Sequence, residues 1–285
     1  MFATHAAFSE PKRQVLKEQI DNISLGGMSL LPSVTIVIPA YNESRRLGRT
    51  LDRILDFVDR EAWRAEIIVV DDGSTDATAE LVQTYASVNP SVRLLSNPGN
   101  RGKGYSVRSG ILHANGEFIL FTDADLSSPI EEAPKLFQAL EDGSDIAIGS
   151  RWVRPELQIQ RQPVSRQILG RVFNGFLRLL LGLKFNDTQC GFKALRQHCA
   201  KALFPLQQIE GWGFDPEILF LAQKMRFTIA EVPVVWAHDD GTRIHPLADG
   251  AKMLADMIQI LWNNMSGRYT SEPAVRPSPV RATER

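Results

Sequence analysis

Three stretches place acidic residues directly after short apolar runs. Pro39-Ala40-Tyr41-Asn42-Glu43 follows residues 34–38. Asp71-Asp72-Gly73-Ser74-Thr75-Asp76 follows 67–70, and Asp123-Ala124-Asp125 follows 118–121. Carboxylates brought together repel one another, and something must offset that repulsion. A divalent cation does so naturally. Asp123 and Asp125 set two hard oxygen donors near one point, the ligands that Mg²⁺ or Mn²⁺ takes alongside phosphate and water. Taken singly, the Asp-x-Asp pair also reads as a capped turn, and Asp72-Gly73-Ser74 as a helix cap.

The elements that must position these groups follow from periodicity. Val34-Thr35-Ile36-Val37-Ile38 is a β-branched run stopped by Pro39, a buried strand. Further strands are expected at 67–70, 92–95, 118–121 and 146–148. Leu47, Leu51, Ile54, Leu55 and Val58 recur at helical spacing. Ser74-Thr75-Asp76 caps a helix carrying Ala79, Val82 and Tyr85. Helices are expected at 103–114 and 130–140. This alternation predicts an α/β fold with a mostly parallel sheet and helices on both faces. Ligands of such sheets lie outside the carboxyl ends of the strands, where all three acidic stretches fall. Beyond residue 150 the pattern changes to a long helix at 165–183, a late strand at 233–236 and a last helix at 247–262.

Composition narrows the function classes. The 285 residues suit one large domain with or without an appendage. Lys+Arg 32 against Asp+Glu 33 gives a net charge of −1, which argues against a nucleic-acid-coating protein. Two cysteines, Cys190 and Cys199, exclude a disulfide scaffold and a Cys-rich zinc site. Cys190 reads as a packed thiol. His238 and His245 read as loop residues beside the site. No uninterrupted apolar run of about 18 residues appears and no signal peptide is recognisable, so a cytoplasmic location is expected. Residues 1–32 read as a loose arm and 266–285, with three prolines and four arginines, as a disordered tail.

Between Arg151 and Arg178 lie six arginines and one acid, Glu156. This is either a solvated charge run or a site for phosphate at a membrane surface, since the guanidinium fork matches phosphate oxygens. In the helix that follows, Arg171, Asn174, Gly175 and Arg178 share one face. Val172, Phe173, Phe176, Leu177, Leu179, Leu180 and Leu181 cover the rest. So wide an apolar arc requires a core, a partner or lipid.

Taken together, the acidic stretches and Asn100-Arg101-Gly102-Lys103-Gly104 resemble the family 2 glycosyltransferases, inverting enzymes of the GT-A fold, over about residues 34–151. A second block looks like the polyprenyl-phosphate sugar transferases, and within them the dolichyl-phosphate β-glucosyltransferases. It comprises Asp187-Thr188-Gln189-Cys190-Gly191-Phe192-Lys193, Gly211-Trp212-Gly213-Phe214-Asp215, the run from Asp125 to Glu132, and Gly241-Thr242-Arg243. The resemblance implies a GT-A domain over 33–265, with a nucleotide-sugar half at 33–151 and an acceptor half at 152–265 ending in membrane-facing helices. Pro39, Tyr41 and Glu43 would line the base and ribose, and Asp71 or Asp72 would accept from the base N–H. Asp123 and Asp125 would hold Mg²⁺ or Mn²⁺ on the diphosphate, and Lys103 would reach phosphate or cap its helix. Arg151, Arg166, Arg243 and Gln189 would position an acceptor phosphate.

Asp187 and Asp215 would orient sugar hydroxyls or the arginines, and one of them would act as base if the acceptor were an alcohol. The implied reaction moves a sugar, glucose by resemblance, from UDP-sugar in preference to GDP-sugar onto a polyprenyl or dolichyl phosphate at the inner membrane face. The alternatives are a family 2 transferase acting on a glycan or small-molecule hydroxyl, and a nucleotide-sugar-binding module without turnover.

Overall fold

The structure, a computed structural model, describes residues 33–160, 164–237 and 246–270. Nine strands and eight helices appear among them. The strands are β1 (Val34–Ala40), β2 (Ala65–Asp71), β3 (Val92–Ser96), β4 (Phe118–Phe121), β5 (Ile146–Ser150), β6 (Gln158–Gln160), β7 (Lys193–Arg196), β8 (Ile229–Pro233) and β9 (Trp236–Ala237). The helices are α1 (Leu47–Arg60), α2 (Thr78–Val88), α3 (Lys103–Leu112), α4 (Ala133–Glu141), α5 (Val164–Leu181), α6 (Gln197–Leu203), α7 (Phe214–Lys224) and α8 (Pro246–Met265).

Seven strands form one sheet in the order β3-β2-β1-β4-β7-β5-β8, parallel except for β7, which runs antiparallel to β4 and β5. β6 and β9 make a separate parallel pair. Alternation along the central strands splits the core in two. Ile36, Ile38, Ile67 and Val69 face α1, α2 and α4. Val37, Ile68 and Val70 face α3, α6, α7 and the buried faces of α5 and α8. Helices thus cover both faces, as expected of a parallel sheet. Gly110 lets α3 lie against the sheet, because a Cβ there would strike the Val37 side chain.

Several boundaries depart from the sequence expectation. Pro39 does not end β1, which continues to Ala40. β1 pairs with β4 only as far as Val37, so a central strand has become an edge where proline stands. The helix expected at 130–140 begins as a 3₁₀ turn, Ile130–Glu132. The expected strand at 233–236 is the junction of β8 and β9. β7, α6 and α7 carry no alternation that had marked them. The apolar arc of α5 divides: Leu177 and Leu181 enter the core, while Phe176 and Leu179 stay exposed. The loose arm expected at 1–32 lies outside the described residues. The tail expected to be disordered from 266 is packed at its start, where Tyr269 is buried and donates to Glu217 Oε1 at 2.5 Å. Beyond residue 270 that expectation lies outside the described residues.

Candidate active site

The carboxyl ends of β1, β2, β4 and β5 form one rim. Because β7 is antiparallel, its first residue, Lys193, lies opposite Phe121 and Ile148 and so reaches the same rim. That reversal delivers the segment from Asp187 to Lys193 beside Asp123.

On the β1–β2 side the loops are stitched to each other. Asn42, at φ 55°, accepts from Thr75 N at 2.7 Å through Oδ1, and its own N–H donates to Ser74 Oγ at 2.9 Å. The amide of Glu43 donates to Thr78 Oγ1 at 2.8 Å, and Ser44 Oγ donates to Asp76 at 2.7 Å. The cap expected at Ser74-Thr75-Asp76 is not formed: Ala77 stands at the N-cap of α2 without a side-chain cap bond, and Asp76, one residue earlier, accepts from Thr78 N. Asp71 accepts from Ser74 N at 3.2 Å. Asp72 receives three hydrogen bonds from the chain itself: Asn97 Nδ2 at 2.8 Å, Arg101 N at 3.0 Å and Gly102 N at 2.8 Å. Asp72 therefore shapes the loop before α3. Glu43 pairs with Arg46, and Tyr41 stands at the rim, 36% exposed.

The centre of the rim is a charge cluster. Lys103 Nζ sits 2.5 Å from Asp123 Oδ1 and 5.1 Å from the centre of the Trp212 ring. Burial pulls Lys103 down, but Asp123, Asp215 and Asp125 around it push further the other way, and it stays protonated. Of the two readings for Lys103, phosphate contact or cap, the geometry adds a third: it neutralises a metal-type carboxylate. Asp125 accepts from Ser127 N at 2.9 Å. Burial first, and then the charge of Asp123, hold its pKa above the ordinary carboxylate range. Gly191 packs so closely on Asp123 that a Cβ would run into the carboxylate.

Across the rim stand two buried ion pairs. Arg151 grips Asp187 with both ends of its fork, Nε to Oδ2 at 2.7 Å and Nη2 to Oδ1 at 2.8 Å, and its backbone N–H adds a third bond. Burial pushes Asp187 up, but Arg151 and the amides of Arg151 and Gln189 override it and hold the carboxyl low. Glu231 of β8 fixes this loop from below, accepting from Asp187 N at 2.7 Å and Asn186 N at 2.9 Å. Lys193 pairs with Asp215 at the start of α7 and donates to the Cys190 carbonyl at 2.5 Å. Burial raises Asp215 despite the two lysines near it. Burial also pushes the Cys190 thiol up to about 11, consistent with a packed thiol. Gln189 reaches the Met253 sulfur of α8 at 3.7 Å.

The structure thus gathers Pro39, Tyr41, Glu43, Asp71, Asp72, Lys103, Asp123, Asp125, Arg151, Asp187, Gln189 and Asp215 around one rim. Arg166 lies on α5, where its side chain is not described, and Arg243, His238 and His245 fall outside the described residues. Sequence reading assigned no role to Lys193, Glu231 or Trp212. Lys193 carried a signal, a lone cation entering the apolar run Phe192 to Leu195. Glu231 carried none.

Asp123 and Asp125 suit a hard divalent ion. They are paired carboxylates, and the charge of Asp123 adds to burial, the larger cause, in raising the pKa of Asp125, so a cation would relieve the repulsion. No group of three His, Cys, Asp or Glu positioned to hold a metal occurs among the described residues. The rest of a coordination shell would come from the ligand and water.

A doubly wound sheet with one reversed strand, carrying acidic groups on its carboxyl rim, defines a GT-A-like glycosyltransferase fold. Residues 35–204 match the model of Glycosyl transferase family 2, and the chain belongs to that family and is a glycosyltransferase. It is 38% identical to a dolichyl-phosphate beta-glucosyltransferase of Trichomonas vaginalis, over 83% of this chain and 73% of that one. The corresponding protein of Dictyostelium discoideum is 36% identical over 88% and 78%, and that of Homo sapiens 32% over 87% and 83%. Glucosyl-3-phosphoglycerate synthase from Mycobacterium tuberculosis, solved with uridine diphosphate, superposes with a TM-score of 0.59 at 20% identity, covering 90% of this chain and 86% of that one.

Proposed function

We propose that this protein transfers glucose from UDP-glucose to a polyprenyl phosphate of the dolichyl type, with inversion at the anomeric carbon. The named relatives, aligned over most of both chains, support the sugar and the acceptor. The observation that carries the reading is the two-sided rim. A carboxylate pair, Asp123 and Asp125, lies with Lys103 on one side, and Arg151, held by Asp187, stands on the other. One side suits a metal-bound diphosphate and the other an anionic acceptor.

The reaction forms a bond from an acceptor phosphate oxygen to the anomeric carbon and breaks the bond from that carbon to the UDP oxygen. A phosphate monoester has its second pKa near 6 and is largely dianionic at neutral pH, so no residue need remove a proton. The chain agrees with this. Asp187 is closed by Arg151, and Asp215 by Lys193, so neither is free to serve as base toward a hydroxyl. Arg151, fixed in direction by Asp187, positions the acceptor. Asp72 sets the loop that presents Lys103, and Asp71, Tyr41, Pro39 and Glu43 border the nucleotide. Asp123 and Asp125 would hold Mg²⁺ or Mn²⁺, which when bound supplies charge stabilisation for the departing diphosphate.

Incubation with labelled UDP-glucose or GDP-sugars, and with dolichyl phosphate, a short polyprenyl phosphate or a soluble alcohol, tests the reading. Label from UDP-glucose should enter the lipid-phosphate fraction. Transfer only to the alcohol, or UDP-glucose binding without transfer, would replace this reading with one of the alternatives.

A further inference from the structure

Asp187 owes its place to two side chains that come from different elements. The first is Glu231 of β8, which is half-buried. Its Oε1 accepts from Asp187 N at 2.7 Å and Ser150 Oγ at 2.8 Å, and its Oε2 from Asn186 N at 2.9 Å and Asn186 Nδ2 at 3.0 Å. Ser150 directly precedes Arg151, and its hydroxyl in turn accepts from the amides of Trp152 and Val153, both at 3.4 Å. One carboxylate therefore fixes the chain at both members of the Arg151–Asp187 pair. Every partner of Glu231 here is a neutral donor. An ionised carboxylate only accepts, so a glutamate meets them all, whereas a glutamine would turn its own N–H groups on some of them.

The second is Asn174 of α5. Its helix spacing sets it on a face with Arg171 and Arg178, yet it is buried. Its Nδ2 donates to the Asn186 carbonyl at 2.6 Å, and its Oδ1 accepts from Thr188 Oγ1 at 2.6 Å. Thr188 is itself fully buried. The amide thus takes hold of the residue before Asp187 and the residue after it, with a donor and an acceptor that match. The indoles of Trp152 and Trp236 lie 6.0 and 5.5 Å from the Arg151 guanidinium, but its direction comes from the two-pronged bond to Asp187.

We propose that Glu231 and Asn174 are positioning residues of the transfer: clamping residues 186–188 from β8 and from α5, they set the Asp187 carboxylate that aims the Arg151 guanidinium at the acceptor phosphate. The aim at phosphate rests on the polyprenyl-phosphate reading; the clamp itself does not. Neither residue touches a substrate, and each acts through the placement of a group that does.

Steady-state kinetics of the full chain with UDP-glucose and a short polyprenyl phosphate tests this. Glu231→Gln and Asn174→Ala should each raise the KM for the lipid phosphate by about tenfold and leave the KM for UDP-glucose unchanged. A variant that merely folded less well would lose apparent kcat with both KM values unmoved. The two substitutions lie on different elements, so if one fails to fold the other decides. In an Arg151→Lys background, where the fork is already lost, Glu231→Gln should add no more than about twofold. Lipid-phosphate KM values unchanged in both variants, or rising in step with those for UDP-glucose, would overturn the proposal. Urea unfolding separates the clamp from the identity of the acceptor. There, Glu231→Gln and Arg151→Ala together should cost less than the sum of their separate losses. Additive losses would overturn the clamp, whereas coupled losses in a chain that transfers only to an alcohol would overturn the acceptor reading and with it the aim at phosphate.

Discussion

The two sides of the rim satisfy their buried acids in different ways. On the β2 side, Asp71 and Asp72 accept mainly from backbone amides within about 30 residues of themselves. On the β5–β7 side, Asp187 and Asp215 accept from the side-chain cations of Arg151 and Lys193. An amide is neutral and fixed by the fold; a guanidinium or ammonium is a charge that must itself be buried. The first side should tolerate loss of an acid as loss of hydrogen bonds. The second should respond as if a charge had been stranded.

The largest effect is therefore expected at Lys193, of which 1% of the side chain is exposed. Lys193→Met should cost roughly 3–5 kcal/mol of folding stability, because Asp215 is left buried without its partner. Lys193→Met combined with Asp215→Leu should recover most of that loss, since an apolar pair removes both desolvation penalties. Urea unfolding of the three proteins measures it. A double variant no more stable than the single would show that the pair is not coupled as the geometry has it.

Asp125 stands between the two sides and should separate activity from stability. Asp125→Asn should lower turnover by more than about 100-fold, the order lost with a principal charge stabiliser. In chelator, the same variant should melt higher than the parent at neutral pH. Asp125 has a folded-state pKa raised by burial and by Asp123, so its contribution to stability falls as pH rises through the interval from the unfolded value, about 4, to that higher folded value. Asp187 has the opposite sign. Its pKa is held low chiefly by Arg151 against the pull of burial, so its contribution is present above the unfolded value and is lost as pH falls through the folded one. Melting curves of the metal-free protein across pH should thus show the two variants, Asp125→Asn and Asp187→Asn, diverging from the parent in opposite directions. Mn²⁺ should raise the melting temperature of the parent and leave that of Asp125→Asn nearly unmoved.

What the sequence made legible follows the same division. The acids at the ends of β2 and β4 stand directly after short apolar runs, so residue type and spacing were enough to place them. The strand–helix alternation to residue 150 was readable for the same reason. β7 was not, because a four-residue strand that begins with a buried lysine has no alternation to announce it. Its reversal is what joins Lys193 to the rim, and it depends on pairings with Phe121 and Ile148 that lie 72 and 45 positions away. The partners of Asp187 and Asp215 were equally hidden, being fixed by tertiary packing. The bonds that Asp72 makes within the chain were hidden as well: they come from the amides of Arg101 and Gly102, 29 and 30 positions on, which spacing does not reveal.

Asp72→Ala accordingly tests a loop. Its removal strands the amides of Arg101 and Gly102 and the Asn97 side chain, an effect of roughly 1–3 kcal/mol. Because that loop leads into Lys103, UDP affinity measured by calorimetry should fall together with stability. Arg166→Ala should leave UDP affinity unchanged. Equal losses of UDP affinity in both would erase the distinction between a nucleotide side and an acceptor side.

The smallest effect is expected from an ion pair whose geometry matches that of Arg151 and Asp187 but whose surroundings do not. Arg53 on α1 meets Glu131 with the same fork, at 3.1 and 2.8 Å. Its side chain is 48% exposed and that of Glu131 40%, against 20% and 1% for the rim pair. Water already solvates both charges, so little desolvation is at stake and the attraction is screened. Arg53→Ala should cost no more than about 1 kcal/mol, and that cost should shrink further as salt is raised. Arg151→Ala should cost several-fold more, with a difference that salt barely changes, because Asp187 would be left in a place that solvent ions do not reach. If the two variants lost equal stability at low salt and recovered equally at high salt, burial would not be what sets the two sides apart, and the strength of the rim pair would have to be sought in its hydrogen bonds alone.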